Sequence, residues 1–250
     1  MMRIILIIAM LCISQQTARA QEITAKEIVK KANDKMEGLS NESNMTMTIV
    51  RPTWQRSISL KSWAKGKELS LVLITDPAKD KGQTFLKIKN EMWNWVPGIQ
   101  RMIKLLPSMM SQGWMESDYT NDDILKESSI VEDYVHTLTG TEKYSGTECY
   151  IIRLVPKPEA VVVWGSIIKW ISKGSYFQLR SDYYDEDNKL VKTETSTQVK
   201  MMDDREIPTY IEIIPADKPG QKTTVTINKI LFNKPVQDHF FSQQNMKTIR

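Results

Sequence analysis

The side chains of this chain that could carry catalytic or metal chemistry are few and scattered. After residue 20 the imidazole and thiol groups are His136, His239 and Cys149. They lack the Cys-x-x-Cys and His-Glu-x-x-His spacings of zinc sites. The sequence also has no Gly-x-Ser-x-Gly nucleophile elbow and no glycine-rich phosphate-binding loop. We therefore predict no catalytic residue, no metal and no cofactor.

The densest acidic cluster comprises Asp118, Asp122 and Asp123. A hard-cation site is conceivable there, but a calcium loop needs a turn glycine and a closing glutamate, and both are missing. Thr120 or Asn121 as the cap of a short helix beginning at Asp122 explains the same residues, because acids stabilise the positive end of a helix. We favour the cap, while an envelope hydrolase with its acid pair in this cluster stays a less favoured alternative.

The elements that would position these groups begin with a helix. Apolar residues recur at helical spacing across residues 28–36, with Thr24 as N-cap, Glu27 three positions later and Gly38 as the stop. This pattern predicts a helix over residues 24–37.

After Leu39 the apolar rhythm changes to a period of two, as in Met45, Met47 and Ile49. Alternation bounded by tight-turn residues predicts strands, and strands joined without helices predict an antiparallel sheet whose neighbours follow in sequence order. Residues 164–171 fit a helix or a strand, and we favour a strand. Further strand-like runs cover residues 68–75, 83–89, 147–155, 175–185, 189–201, 206–214 and 221–232.

Residues 104–135 break the strand rhythm and are predicted to be an insertion of loop and short helix across the sheet. Methionine is frequent here, and methionines adapt to varied apolar shapes at promiscuous binding surfaces. These residues form either a filled core, which composition alone favours, or the wall of a lipid-binding cavity. The candidate cavity residues are Met45, Met47, Ile49, Ile58, Leu60, Trp93, Trp95, Met102, Met109, Met110, Trp114 and Met115.

The N-terminus has the three parts of a cleavable signal peptide. Arg3 supplies the positive region, residues 4–13 are almost wholly apolar, and Ala18 and Ala20 form the small-x-small cleavage site. Cleavage before Gln21 is expected, so we predict a signal peptide over 1–20 and a single domain over 21–250. The apolar run is about half the ~20 residues needed to span a bilayer.

Charge and cysteine content limit the partners that the protein could bind and the ways in which its fold could be stabilised. Of 34 basic residues, removing Arg3 and Arg19 leaves 32 against 30 acidic ones. The two signs are interspersed along the chain, whereas nucleic-acid binders gather a basic excess on one face, so nucleic acid is not an expected partner. Cys149 alone remains after cleavage, so no intrachain disulfide can form and stability must come from the core.

Several stretches, in order along nearly the whole mature chain, resemble the outer-membrane lipoprotein-sorting proteins, relatives of the periplasmic carrier LolA. One departure is Glu116, which stands where such sequences usually carry glycine. The stretches that carry the resemblance are 60–66, 76–86, 90–97, 117–123, 150–158, 183–187, 205–209 and 238–241.

The resemblance implies an α+β, mainly antiparallel β protein: a curved, unclosed half-barrel with an N-terminal helix and a helical or loop lid over an apolar cavity for acyl chains. It implies a non-enzymatic periplasmic lipoprotein-sorting or lipid-carrier protein that ferries acyl chains toward the outer membrane. An inner-membrane transporter and an outer-membrane acceptor are the implied partners. An envelope sensor of the same fold is the alternative.

Overall fold

The computed structural model describes residues 23–126, 130–160 and 162–250. The predicted signal peptide, residues 1–20, lies outside the described residues. The first element is helix α1 (Ala25–Glu37), which confirms the predicted helix. The Thr24 hydroxyl accepts from the Glu27 amide while the Glu27 carboxylate accepts from the Thr24 amide, a capping box. The helix ends at Gly38, whose positive φ of 66° suits a residue without a side chain.

One antiparallel sheet makes up most of the described chain. Its thirteen strands lie in the order β6-β5-β4-β3-β2-β1-β13-β12-β11-β10-β9-β8-β7, and the sheet does not close. The strands are β1 (Ser40–Arg51), β2 (Trp54–Lys65), β3 (Leu69–Asp76), β4 (Thr84–Ile88), β5 (Glu91–Val96), β6 (Arg101–Lys104), β7 (Tyr134–Tyr144), β8 (Thr147–Pro156), β9 (Ser166–Ser172), β10 (Gln178–Tyr184), β11 (Leu190–Met202), β12 (Arg205–Pro215) and β13 (Lys222–Phe232).

Strand neighbours follow sequence order in both halves of the sheet, as predicted, but not at its centre. There β1 pairs with β13, and Asn41 lies opposite Phe232. The two edge strands, β6 and β7, are consecutive in the sequence. The chain that joins them therefore runs from one edge of the sheet to the other, across its face.

This joining chain occupies residues 105–133, close to the predicted insertion at 104–135. Its described part from residue 105 to 126, hereafter the lid, consists of loops, two short 3₁₀ turns and helix α2 (Asn121–Lys126). The undecided segment at 164–171 is mostly strand β9, as favoured. Along the described residues, no helix has both the length and the apolar character needed to cross a bilayer.

The first half of the sheet is covered on both faces. Along β3, Val72 and Ile74 belong to a cluster under the lid, whereas Leu71 and Leu73 pack with Phe241 of the C-terminal segment. We call the face beneath α1 and the lid the inner face and the opposite one the outer face. The C-terminal segment, residues 233–250 with the short helix α3 (Asn245–Thr248), covers the outer face of the first half of the sheet.

Candidate functional site

A cavity of about 150 Å³ lies between α1, the lid and the inner face of strands β9 to β12. Its wall is mixed, with aliphatic and aromatic side chains beside several charged ones. The main lining residues are Val29, Ala32, Met36, Tyr119, Asp123, Tyr134, Trp164, Ile167, Lys169, Ile171, Tyr176, Phe177, Gln178, Tyr183, Lys192, Glu194, Ser196 and Ile211.

None of the twelve predicted cavity residues lines this cavity. Eight of them form instead a compact group where the lid packs on the inner face of the other half of the sheet, and we call this group the lid cluster. Met109 is half-buried beside it, and its carbonyl accepts from the Asn121 side chain at 2.8 Å. The lid-cluster residues are Met45, Met47, Ile49, Ile58, Leu60, Met110, Trp114 and Met115.

The remaining three predicted residues, Trp93, Trp95 and Met102, lie on the outer face, so the prediction that they share a surface with Met45 is wrong. They pack with Phe241 and the other outer-face residues. Side chains alternate between the faces of a strand, and Trp93 pairs with the outward Leu86 of β4. Alternation in the sequence indicates two faces but not which face a given strand turns inward.

The lid is fastened to the sheet by two arginines that sequence reasoning did not single out. Arg51 of β1 forms a buried ion pair with Asp118 at 3.1 Å, and its second nitrogen donates to the Glu116 carbonyl at 2.7 Å. Arg56 of β2 donates to the Met115 carbonyl at 2.8 Å. The Thr223 hydroxyl of β13 donates to Asp118 at 2.6 Å, so three strands hold this turn of the lid.

The predicted cap of the lid helix is present and it is Thr120. Its hydroxyl accepts from the Asp123 amide at 3.0 Å, and the Asp123 carboxylate accepts from the Thr120 amide at 2.7 Å. The helix begins at Asn121, one residue earlier than predicted. In the part of the chain that the structure describes, no three histidine, cysteine or acidic side chains gather as metal ligands would.

Asp123 also joins the lid to the second half of the sheet. It accepts from the Lys192 ammonium of β11 at 2.5 Å and from the Trp164 indole nitrogen at 2.8 Å. Lys192 is almost fully buried, and its ammonium lies 4.7 Å from the Trp164 ring centre and 4.8 Å from that of Tyr183. Cation–π contacts and the ion pair together offset the cost of burying this charge.

A second polar group, hereafter the cavity floor, consists of the buried Lys169 of β9 with the half-buried Gln178 of β10 and Glu194 of β11. Lys169 donates to the Gln178 amide oxygen and, at 3.3 Å, to the Ser181 hydroxyl. The Gln178 amide nitrogen donates to Glu194 at 3.0 Å. Burial raises the pKa of the Glu194 carboxyl, while Lys169 and Lys192 act in the opposite direction.

The cavity floor had a weak sequence signal. Lys169 interrupts the apolar pattern of Ile167 and Ile171, with which it shares the inner face of β9, and Lys192 and Glu194 have the spacing of one strand face. A lysine in such a position is normally read as facing solvent. Only the cover supplied by α1 and the lid makes these charges internal.

The two histidines and the cysteine do not line the cavity. Cys149 is buried, and burial raises the pKa of its thiol. His136 bonds to the Ile130 carbonyl at 3.0 Å, and burial lowers its pKa. His239 is exposed on the C-terminal segment.

Comparison with solved structures identifies the fold. A DUF1329 family protein from Desulfovibrio piger superposes with a TM-score of 0.82 at 22% identity, covering 89% of this chain and 97% of the other. A putative outer membrane lipoprotein-sorting protein domain from Vibrio parahaemolyticus superposes with a TM-score of 0.77 at 19% sequence identity, covering 89% of this chain and 98% of the other. A LolA superfamily protein from Nitrosomonas europaea superposes with a TM-score of 0.76 at 22% sequence identity, covering 89% of this chain and 99% of the other.

Sequence comparison adds the family. No curated protein matches the chain at a significant level. A family model whose description reads "-like: Uncharacterized protein" matches residues 66–248, most of the chain. The resemblance predicted from sequence is thus confirmed at the level of the fold, which is an open antiparallel sheet with few helices. The chain belongs to this family of uncharacterized proteins, and its fold is that of the LolA superfamily.

Proposed function

We propose that this protein is a periplasmic carrier that holds acyl chains of lipids or lipoproteins on its inner face and ferries them toward the outer membrane. The observation that carries the proposal is the cavity between α1, the lid and the sheet, which combines many aliphatic and aromatic wall residues with a cover attached at two places. A fold shared with the LolA superfamily supports it. An inner-membrane transporter and an outer-membrane acceptor are the partners that such a task requires.

A carrier of acyl chains needs apolar surface, because an acyl chain is strongly disfavoured in water. At ~0.8 kcal/mol per buried CH2, a 16-carbon chain is held in a membrane by roughly 12 kcal/mol, and crossing water unaided would cost that amount. A carrier must offer comparable apolar surface and still release its cargo. Val29, Ile171 and Ile211 supply such surface from the helix, β9 and β12.

The cavity in the closed structure is too small for a whole acyl chain. Its 150 Å³ is below the roughly 300–1,000 Å³ of pockets that enclose drug-sized ligands. The lid cluster supplies the missing room, because Tyr119 of the lid contacts both that cluster and the cavity. Displacement of the lid would join the two into one apolar surface rich in methionine, which adapts to varied chain shapes.

One feature of the closed lid lowers the cost of opening it. The indole nitrogen of Trp114 is buried without a hydrogen-bond partner among the described residues. A buried unsatisfied donor costs about 1–3 kcal/mol, and exposure to water would recover that amount. The closed state is therefore less favoured than its apolar contacts alone would make it.

Two measurements test carriage. The first is mass spectrometry of lipid extracted from protein purified from its native compartment, where acyl-containing lipid should be found. The second is binding of N-phenylnaphthylamine, an uncharged apolar dye, by the parent and by Ser196→Trp, which fills the cavity from β11. The adjacent Thr197→Trp is the control, because Thr197 is exposed and faces the other side of that strand.

Dye binding should fall at least tenfold in Ser196→Trp and stay at the parental level in Thr197→Trp. Equal binding by all three proteins would show that the dye does not enter this cavity. A parent protein that neither binds the dye nor carries lipid would remove the carrier proposal itself.

A further inference from the structure

We propose that the cavity opens to solvent between the C-terminal half of α1 and the turn that joins β9 to β10, and that Lys31 and Lys35 at this opening bind the anionic head group of a phospholipid whose acyl chain lies in the cavity. This inference rests on the proposed carrier function and specifies the class of cargo and its orientation. We call the opening the mouth, and it consists of Lys31 and Lys35 of α1 with Tyr176 and Phe177 of the turn.

Burial of the cavity wall decreases toward the mouth. At the start of β9, Trp164 and Ile167 are buried. Beyond the other end of β9, Tyr176 and Phe177 line the cavity together with Lys35 of α1, and all three are only half-buried. An acyl chain that enters here reaches the apolar interior while its head group stays at the surface. The head group thereby avoids the cost of burying a charge.

The two lysines of the mouth lie one turn apart on the same flank of α1. The Lys31 ammonium lies 4.8 Å from the centre of the Tyr176 ring, and the Lys35 ammonium lies 4.7 Å from that of Phe177. Such cation–π contacts hold two otherwise flexible side chains at the opening. A head group that binds there meets partly ordered ammonium groups, which lowers the entropic cost of binding.

The carboxylates near these lysines on α1 are engaged elsewhere. Glu27, one turn before Lys31, acts on it electrostatically, but its carboxylate accepts from Thr24 in the capping box. Asp34 pairs with Lys30, which is exposed to solvent. A phosphate group can therefore approach the mouth without displacing either carboxylate from its own partner.

The mouth favours an anionic head group over a zwitterionic one. Aromatic faces commonly bind quaternary ammonium groups, but those of Tyr176 and Phe177 already contact Lys31 and Lys35. The two lysines would also repel a ligand ammonium, whereas lysine is a common phosphate ligand. Glu37 lines the cavity near the mouth, and burial raises the pKa of its carboxyl while nearby lysines act in the opposite direction. A phosphate without a neighbouring cation, as in phosphatidylglycerol, is therefore the preferred head group.

The parent protein provides the first test, by displacement of N-phenylnaphthylamine at low ionic strength. The competitors are lysophosphatidylglycerol and lysophosphatidylcholine with the same acyl chain, each below its micelle concentration. We expect the anionic lipid to bind at least threefold more tightly, and added salt should reduce the difference. Equal or tighter binding of the zwitterionic lipid would overturn the head-group assignment and leave the carrier function standing. If neither lipid displaces the dye, the carrier function fails as well.

Paired variants locate the interaction on α1. The double variant Lys31→Gln/Lys35→Gln should bind both lipids equally, with binding of the zwitterionic lipid at the parental level. The matched control is Lys26→Gln/Lys30→Gln, which removes the same charge from the same helix. Both control lysines form exposed ion pairs, whose loss has little effect on stability. The control should keep the parental preference.

The remaining outcomes of this experiment contradict the proposal. An unchanged preference in Lys31→Gln/Lys35→Gln would remove the two lysines from the head-group site. An equal loss of preference in the control would indicate a general effect of net charge. Loss of both lipids in a folded Lys31→Gln/Lys35→Gln, as judged by thermal melting, would show that the lysines support the cavity and do not bind the head group. If that variant does not fold, the comparison of the two lipids on the parent and on the control decides.

Discussion

At the scale of single residues, two glutamates occupy environments that a glutamate does not favour. Glu116 has a φ of 64°, in the left-handed region that glycine prefers, at the lid turn held by Arg51 and Arg56. Glu194 is enclosed at the cavity floor, where burial disfavours its charged form. Neither feature improves stability, so each gives a direct test of the structure.

Replacing Glu116 with glycine should stabilise the protein. A non-glycine residue in the left-handed region costs about 1–2 kcal/mol of stability. The substitution also removes the ion pair between Glu116 and Arg56, but the carboxylate of that pair is largely exposed, so the pair contributes about 0–1 kcal/mol. We expect Glu116→Gly to raise the free energy of unfolding by up to about 1 kcal/mol in urea titrations. Glu116→Gln, which removes the charge and keeps the side chain, should bring no gain. A glycine variant less stable than the glutamine variant would contradict the strained turn.

Replacing Glu194 with glutamine should stabilise the protein in a pH-dependent way. Because the folded pKa of Glu194 is raised, the protein loses stability as pH rises from the unfolded value of about 4.3 through the folded pKa. Glutamine does not ionise, and its side-chain oxygen can still accept from Gln178. The difference in melting temperature between Glu194→Gln and the parent should therefore be larger at pH 8 than at pH 4. A difference independent of pH would show that Glu194 is not enclosed.

At the scale of elements, the lid is a covering segment attached at two places to different halves of the sheet. The turn at residues 115–118 is held by Arg51, Arg56 and Thr223, and the start of α2 is held by Lys192 through Asp123. Apolar contacts of Trp114 and Met110 fill the space beneath the first attachment. Ion pairs have strict geometry and apolar contacts do not, so this combination permits a defined closed position and a movable lid.

Arg51→Met should release the first attachment. Removing one partner of a buried ion pair costs about 3–5 kcal/mol, since Asp118 would be left buried without its cation. Amide hydrogen exchange should speed up in residues 113–120 while protection in β9 to β12 is kept. Lys222→Met, which breaks the more exposed pair with Glu212, is the matched control and should leave the lid unchanged. Equal loss of protection over the whole sheet would indicate a structural rather than a gating role.

The outer face gives a second prediction at this scale. Phe241 is almost fully buried and packs on the face that carries Trp93 and Trp95. Phe241→Ala should destabilise the protein by about 3–5 kcal/mol because it leaves a cavity in this cluster. Binding of N-phenylnaphthylamine to the variant, measured where it is still folded, should equal that of the parent. Weakened binding would return the outer tryptophans to the ligand site.

At the scale of the whole molecule, the sequence predicted elements better than their placement. The capping box of Thr24 and the period-two alternation of Met45 to Ile49 are local signals, and both correspond to the observed elements. Which face a strand turns inward depends on partners distant in sequence, so Trp93 and Trp95 were misplaced. The cavity floor was missed because Lys169 and Glu194 become internal only when α1 covers them.

Cleavage of the predicted signal peptide on export remains a prediction. Arg3, the apolar run and Ala18-x-Ala20 have the order that signal peptidase requires. N-terminal sequencing of the protein exported by its native host should begin at Gln21. A sequence beginning at Met1 or Met2 would contradict export by cleavage.

The pairing of β1 with β13 makes the two ends of the strand sequence the middle of the sheet. Residues 41 and 232 must meet before the two halves become one surface, and closing so long a loop slows folding. Loss of β13 would therefore remove a central strand and separate the two halves of the sheet, rather than shorten one edge. An emerging chain thus has no continuous inner face until its last strand is made.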